Sequence, residues 1–412
     1  CHLLMSLISA LVAFVESSYV PRLQVFNQIY NGLSNNVLRN NVEVASSITL
    51  EDSYLNITQL ARKYGYNIEQ HYVTTEDGYI LGLHRLTTRN RNTKGIPVFL
   101  MHGLIDSSDS WILQGRNNAL GYLLVDAGFD VWMGNARGNK HSYSHTHLSP
   151  TDSDFWKFSW EEIGVYDLPA MIDYVLRVSE KENLYYVGHS QGTTSFYVMN
   201  ALKPEYSDKI KIMFALSPVA WMSHATSPVL KYLSTTSSIL QHVPLFNTLS
   251  SNFLNQIYGT LCKVMSTGCS NIFDLLFGTN YYVDEAMLTV ILGHSPTGSS
   301  ALQFVHYWQL YESGRFRRFD YGWMANLHQY YSFSPPDYDL SNISVPVVLF
   351  LSGNDCLSHP TDVQILSKHL PNVHKMYYSQ YFSHIDYLYA NTAKEAIYDK
   401  IIEDIRNYEN RR

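Results

Sequence analysis

From about Gln70 the chain alternates short β-branched or aromatic runs with longer windows in which apolar residues recur every three to four positions. This alternation predicts a mostly parallel sheet with covering helices. Gln70–Val73 and Tyr79–Arg85 flank the turn Glu76-Asp77-Gly78 and read as a hairpin. Continuous apolar runs follow at Pro97–Met101, Phe129–Met133, Leu184–Val187, Ile210–Leu216 and Val345–Leu351, as suits strands buried on both faces. Helical windows fall at 117–127, 165–178 and 191–202, and a further strand at His374–Tyr378.

One interval breaks this rhythm. Between the runs ending near Ser217 and opening at Val345 lies far more chain than the dozen or so residues a crossover needs. An inserted, mainly helical cap is expected over 219–344, dividing the core into 59–218 and 345–412 behind an N-terminal segment 19–58. Within the insertion, Val219–Gln256 carries one Lys, Lys231, and no Asp, Glu or Arg. That stretch reads either as ordinary helical core of the cap or as a lid whose inner face meets apolar substrate.

Ahead of the core, Leu3–Val15 is apolar but shorter than the roughly 20 residues a membrane span needs, so it reads as a signal-peptide core. A signal segment over 1–18, N-terminally incomplete, predicts a secreted or lysosomal address with no transmembrane anchor. The sequons at Asn56 and Asn342 are candidate N-glycosylation sites compatible with that address. A formal charge of −7 offers no broad basic face to nucleic acid. Four cysteines are too few for a disulfide framework or paired CxxC zinc motifs. His141, His145 and His147 cluster without a supporting carboxylate pattern and are expected to be solvated; no metal or cofactor is expected.

The chemistry concentrates at Gly188-His189-Ser190-Gln191-Gly192, a GxSxG between an apolar strand and a helical window. Glycines on both sides allow the tight turn that lifts the Ser190 hydroxyl clear of the sheet. Ser190 is the candidate nucleophile; its bland alternative is a helix N-cap. Gln191 heads the helix, so its unpaired N–H is a candidate oxyanion donor. A serine hydroxyl needs a base, and the base needs a carboxylate to fix its tautomer. In the order nucleophile, acid, histidine, Asp355 follows the strand 345–351, and His384 follows the strand 374–378. Asp362 and Asp386 are rival acids, whereas His369 and His374 suit a helix end and a strand. The loop His102-Gly103-Leu104 would supply a second oxyanion donor from the Leu104 N–H.

These residues, in this order, resemble the acid lipase family, the gastric and lysosomal lipases of animals and their insect relatives, within the α/β-hydrolase superfamily. The resemblance runs from about Leu60 to Ile405. It passes through Val73-Thr74-Thr75-Glu76-Asp77-Gly78-Tyr79, His102-Gly103-Leu104, Gly134-Asn135-Ala136-Arg137-Gly138-Asn139 and Phe155-Trp156-Lys157-Phe158-Ser159. It continues through Tyr166-Asp167-Leu168-Pro169-Ala170, the GxSxG, His294-Ser295-Pro296-Thr297-Gly298-Ser299-Ser300 and Gly353-Asn354-Asp355. It implies an α/β-hydrolase fold with a cap and lid, a Ser190, Asp355, His384 triad, and oxyanion donors at Leu104 and Gln191. The implied activity is ester hydrolysis of neutral lipids, triacylglycerols or steryl esters, at a droplet, emulsion or membrane surface, by a monomer without cofactor. A silent lipid carrier and a soluble short-chain carboxylesterase are the competing functions. The family's bridged pair in the cap has its counterpart only in Cys262 and Cys269, which are expected to bridge, leaving Cys356 free. Acid activity does not follow from the residues, because a free imidazole with a pKa of about 6.5 is protonated at low pH.

Overall fold

The computed structural model describes residues 51–88, 95–227, 274 and 276–410, all within one compact unit spanning Thr49–Arg412. The expected signal segment, the Cys262–Cys269 bridge and most of the proposed lid, 228–256, lie outside the described residues.

A nine-stranded sheet organises the unit. Its strands are β1 (Tyr66–Thr74), β2 (Tyr79–Thr88), β3 (Pro97–Met101), β4 (Asp130–Met133), β5 (Ser144–His145), β6 (Leu184–His189), β7 (Ile210–Leu216), β8 (Val347–Ser352) and β9 (Val373–Ser379). They lie in the order β1-β2-β4-β3-β6-β7-β8-β9, with β5 pairing to β2. From β4 to β9 every pairing is parallel, while β1 and β2 form the antiparallel hairpin. The described helices of seven residues or more are α1 (Ile57–Lys63), α2 (Leu120–Asp126), α3 (Leu168–Ser179), α4 (Gln191–Leu202), α5 (Glu285–His294), α6 (Ala301–Ser313), α7 (Trp323–Tyr330), α8 (Pro360–His369) and α9 (Asp399–Asn410).

Alternate residues of the central strands feed two separate cores. Phe99, Tyr186, Met213 and Leu349 join one apolar cluster; Val98, Tyr185, Phe214 and Val348 join the other. This is what the two-residue period of a strand demands when both faces are covered.

The expected elements fall in place, with shifted ends. β1 starts at Tyr66 rather than Gln70, because its polar first half pairs fully with β2 without an apolar signature. α2 starts at Leu120 rather than 117, since Asn118 and Ala119 first turn back onto the Gly115 carbonyl. In the 165–178 window, α3 is preceded by a π turn, Ile163–Asp167. Pro169 has no N–H to close a regular turn there. Of the nearly uncharged stretch, Val219, Ala220, Met222 and Ala225 are buried in the first cluster, so its beginning is core.

Arg137 joins three sequence motifs. Its guanidinium donates to both Asp77 oxygens at 2.6 and 2.9 Å and to Asp167 Oδ1 at 2.7 Å, and its backbone N–H donates to Asp167 Oδ2 at 2.9 Å. The hairpin turn, the loop after β4 and the start of α3 are thereby tied around one buried cation. Asn56 caps α1 by accepting from the Gln59 N–H, and Asn342 is exposed.

Candidate active site

β6 is buried throughout, and Ser190 directly follows it with a φ of +51° and a ψ of −116° that mark a strained strand-to-helix turn. The flanking glycines are required by contact. A Cβ on Gly188 would lie 2.8 Å from the Gly192 carbonyl carbon, and one on Gly192 would lie 2.3 Å from the Met101 carbonyl oxygen. The turn is then pinned: the Ser190 N–H donates to the Leu216 carbonyl at 3.0 Å, and Thr193 Oγ1 donates to the Ser190 carbonyl at 2.6 Å.

His384 Nε2 lies 2.7 Å from Ser190 Oγ, and His384 Nδ1 lies 3.0 and 3.1 Å from the two Asp355 oxygens. β6, β7, β8 and β9 are consecutive in the sheet, so the segments after their carboxyl ends converge although they are distant in sequence. His384 and Asp355 are buried and Ser190 is half-buried. Burial alone would push the Asp355 pKa up, but the His384 ring and the bonds from Ser217 and the Ser358 N–H outweigh it and hold the carboxyl below its ordinary value. The ring is seated by its own backbone N–H, which donates to the Phe277 carbonyl at 2.8 Å, and it lies parallel to the Phe277 ring.

The His102–Leu104 loop comes against the same serine: a Cβ on Gly103 would lie 3.2 Å from Ser190 Cβ. His102 Nε2 lies 3.1 Å from the Ala136 N–H, which can only donate, so His102 Nδ1 carries the proton given to the Gly103 carbonyl at 2.7 Å. Burial lowers the His102 pKa to about 4 and keeps this tautomer neutral. The other donor candidate, Gln191, is the first residue of α4, where backbone N–H groups have no intrahelical acceptor. Its side chain donates to Gln303 on α6 at 2.7 Å, linking the start of α4 to α6.

The rival residues are engaged elsewhere. Asp362 bonds the His224 ring at 2.7 Å, Asp386 accepts from the Ser383 N–H at 2.5 Å, and His369 donates to the Ile365 carbonyl at 2.8 Å. His141 pairs with Asp109 at 2.7 Å and His145 contacts the Asp77 carbonyl at 2.9 Å. Among the described residues no group of three or more His, Cys, Asp or Glu side chains is placed to hold a metal ion. Cys356 is a free, buried thiol, its pKa pushed up to about 12 by burial and the neighbouring Asp355, which favours the protonated form.

Two neighbours of the site were not legible as such. Ser217 Oγ lies 2.5 Å from Asp355 Oδ2 and 2.7 Å from His384 Nδ1. His189 Nε2 donates to the His384 carbonyl at 2.9 Å, and burial lowers its pKa to about 3. The only available signal was position: each lies at the carboxyl end of a central strand.

Comparison with known proteins agrees with this architecture. Residues 57–115 match the partial α/β-hydrolase lipase region, and residues 96–389 match the α/β hydrolase fold. Lipase 1 of Drosophila melanogaster is 40% identical over 366 residues, covering 86% of this chain and 80% of that protein. Gastric triacylglycerol lipase of Mus musculus is 36% identical over 364 residues, covering 85% of this chain and 91% of that protein. A soluble variant of monoglyceride lipase from Saccharomyces cerevisiae superposes with a TM-score of 0.50 at 13% identity, covering 83% of this chain and 96% of that one, a likeness of fold. The chain is a member of the α/β-hydrolase lipase family, to which the gastric triacylglycerol lipases also belong.

Proposed function

We propose that this protein is a serine lipase that hydrolyses ester bonds of neutral lipids, triacylglycerols first, through an acyl-enzyme on Ser190. The observation that carries the reading is the continuous relay from Ser190 Oγ to His384 Nε2 at 2.7 Å and from His384 Nδ1 to Asp355 at 3.0 Å. In this mechanism His384 Nε2 takes the hydroxyl proton as Ser190 Oγ attacks the ester carbonyl. Asp355 stabilises the imidazolium, and the Gln191 and Leu104 N–H groups receive the oxyanion. The imidazolium then protonates the departing alkoxide. A water molecule, deprotonated by the same Nε2, attacks the acyl-enzyme, and collapse of the second tetrahedral intermediate releases the fatty acid and restores Ser190.

The substrate class rests on the named relatives, one of which is a triacylglycerol lipase. We infer that the described part of the expected insertion, residues 276–344, belongs to a cap over the carboxyl ends of the strands. The bond from Gln191 to Gln303, and the 2.9 Å contact between Thr194 Oγ1 and the Tyr307 hydroxyl, support that placement. A secretory address, secreted or lysosomal, is supported by the apolar run at Leu3–Val15 and the sequons at Asn56 and Asn342. The test is hydrolysis of a fatty-acid ester series, from soluble short-chain to emulsified long-chain, beside a Ser190→Ala control. Release from long-chain emulsions that vanishes in the control supports the reading. Turnover confined to soluble short-chain esters makes the protein a carboxylesterase, and no turnover at all favours the silent carrier.

A further inference from the structure

On the reading that Ser190, His384 and Asp355 act as one unit, we propose that Ser217 is a positioning residue of that unit. Its hydroxyl oxygen is a second acceptor for the His384 Nδ1 proton and stabilises the imidazolium formed when Ser190 is deprotonated.

The assignment follows from counting donors. The Asp355 carboxylate accepts from the Leu357 N–H at 3.0 Å and the Ser358 N–H at 2.8 Å, and its other oxygen lies 2.5 Å from Ser217 Oγ. An ionised carboxylate only accepts, so Ser217 gives its single proton to Asp355. The remaining contact of Ser217 Oγ, to His384 Nδ1 at 2.7 Å, then requires Nδ1 to donate. That contact is shorter than either one from Nδ1 to the carboxylate, at 3.0 and 3.1 Å. Nδ1 therefore keeps its proton, and the bare Nε2 lone pair faces Ser190 Oγ.

The hydroxyl is held there firmly. Ser217 is fully buried, its N–H donates to the Phe350 carbonyl at 3.0 Å, and its φ is +52°, a conformation that favours glycine over serine. It directly follows β7, which lies between β6, the strand ahead of Ser190, and β8, the strand ahead of Asp355.

The sign of the effect follows from the same geometry. Asp355 is anionic before and after proton transfer, so its bond from Ser217 is common to both states. What differs is the oxygen end of the Ser217 dipole against Nδ1, which favours the charged ring. Removing the hydroxyl makes the ring a weaker base and removes support from the transition state. The groups that face the ring are Asp355 after β8, His189 on β6 and the Ser190 hydroxyl, and the Asp355 charge acts in turn on Cys356, Asp386 and Tyr387. All remain in a Ser217 variant, so a difference profile isolates this hydroxyl.

The experiment measures kcat, KM and the pH profile of kcat/KM on a soluble ester for wild type, Ser217→Ala and Ser217→Gly. In both variants kcat should fall about tenfold with KM little changed, as for loss of a hydrogen bond to a charged group. The acid limb should move about half a unit to lower pH. Slower turnover with an unmoved or raised limb overturns the proposal, as does an effect confined to Ala, which would report backbone strain at φ +52°. The rate of Ser190 phosphonylation against pH gives the same comparison without turnover. Histidine ¹⁵N NMR of the wild type needs no variant: a proton on His384 Nδ1 above the acid limb is expected, and an Nε2–H tautomer overturns the proposal. A wild type whose Ser190 does not react with fluorophosphonate overturns the reading of the site and this inference together. Variants that match an active wild type overturn this inference alone.

Discussion

His384 Nε2 and Ser190 Oγ lie 2.7 Å apart although 194 positions separate the two residues in the chain. The contact depends on consecutive parallel strands delivering their carboxyl ends to one edge, and on a serine held at φ +51° so that its hydroxyl stands above that edge. Because proton transfer needs both groups, Ser190→Ala and His384→Ala should each lower kcat by several orders of magnitude, and the double variant little further. Steady-state kinetics of the three variants checks this. Additive losses would mean the two residues act separately.

The glycines make an independent prediction. Gly192→Ala puts a methyl group 2.3 Å from the Met101 carbonyl oxygen and 3.0 Å from that of His102, so the loop bearing Leu104 has to move. We expect a loss of at least about 100-fold in kcat, the scale of losing one oxyanion donor. Fluorophosphonate labelling should fall in parallel, while circular dichroism shows how much of the fold survives.

How much of this could be read from the chain follows from where each signal resides. Ser190 was legible because its glycines, strand and helix are all local. Asp355 and His384 were legible because strand ends can be counted and the order of the unit is known. Ser217 was not, since a serine closing an apolar run looks like any turn residue, and its partners lie 138 and 167 positions away. The first half of β1 is not legible in the chain because half-buried Asn67 and Glu69 alternate with the core-packed Tyr66 and Ile68 and break up the apolar run. The motif segments around Asp77, Arg137 and Asp167 were visible as resemblance only. The structure supplies their common physical cause, a buried guanidinium that needs both carboxylates.

That arrangement predicts a stability effect remote from the chemistry. Arg137→Ala leaves Asp167 fully buried without its cation, which should cost about 3–5 kcal/mol of folding stability. Urea unfolding of the variant measures it. A loss below about 1 kcal/mol would show that the ion pair's desolvation nearly cancels its attraction.

Asp386 gives a pH signature of opposite sign to Asp355. Burial pushes the Asp386 pKa up to about 6, and its Oδ1 has no hydrogen-bond partner. A carboxyl whose folded pKa exceeds its unfolded value of about 3.9 destabilises the fold as pH rises between the two, and the penalty is complete above the folded value. Asp386→Asn keeps an oxygen for the Ser383 N–H and removes the charge. It should therefore stabilise the protein at pH 7 by on the order of 2 kcal/mol, with the gain vanishing near pH 4. Asp355, held low, contributes in the other direction, its stabilisation being lost only as pH falls below about 3.9. Thermal melts of wild type and Asp386→Asn from pH 4 to 7 test this, and parallel curves would contradict it.

The central claim is that Ser190 becomes acylated during turnover. The most direct measurement mixes purified protein with a long-chain fatty-acid ester, quenches in acid within the first turnovers, and maps the adduct by peptide mass spectrometry. One fatty-acyl group is expected on Ser190 in the wild type, and none on any residue in His384→Ala. An acyl group on another side chain, or release of fatty acid with Ser190 unmodified at every time point, would contradict it.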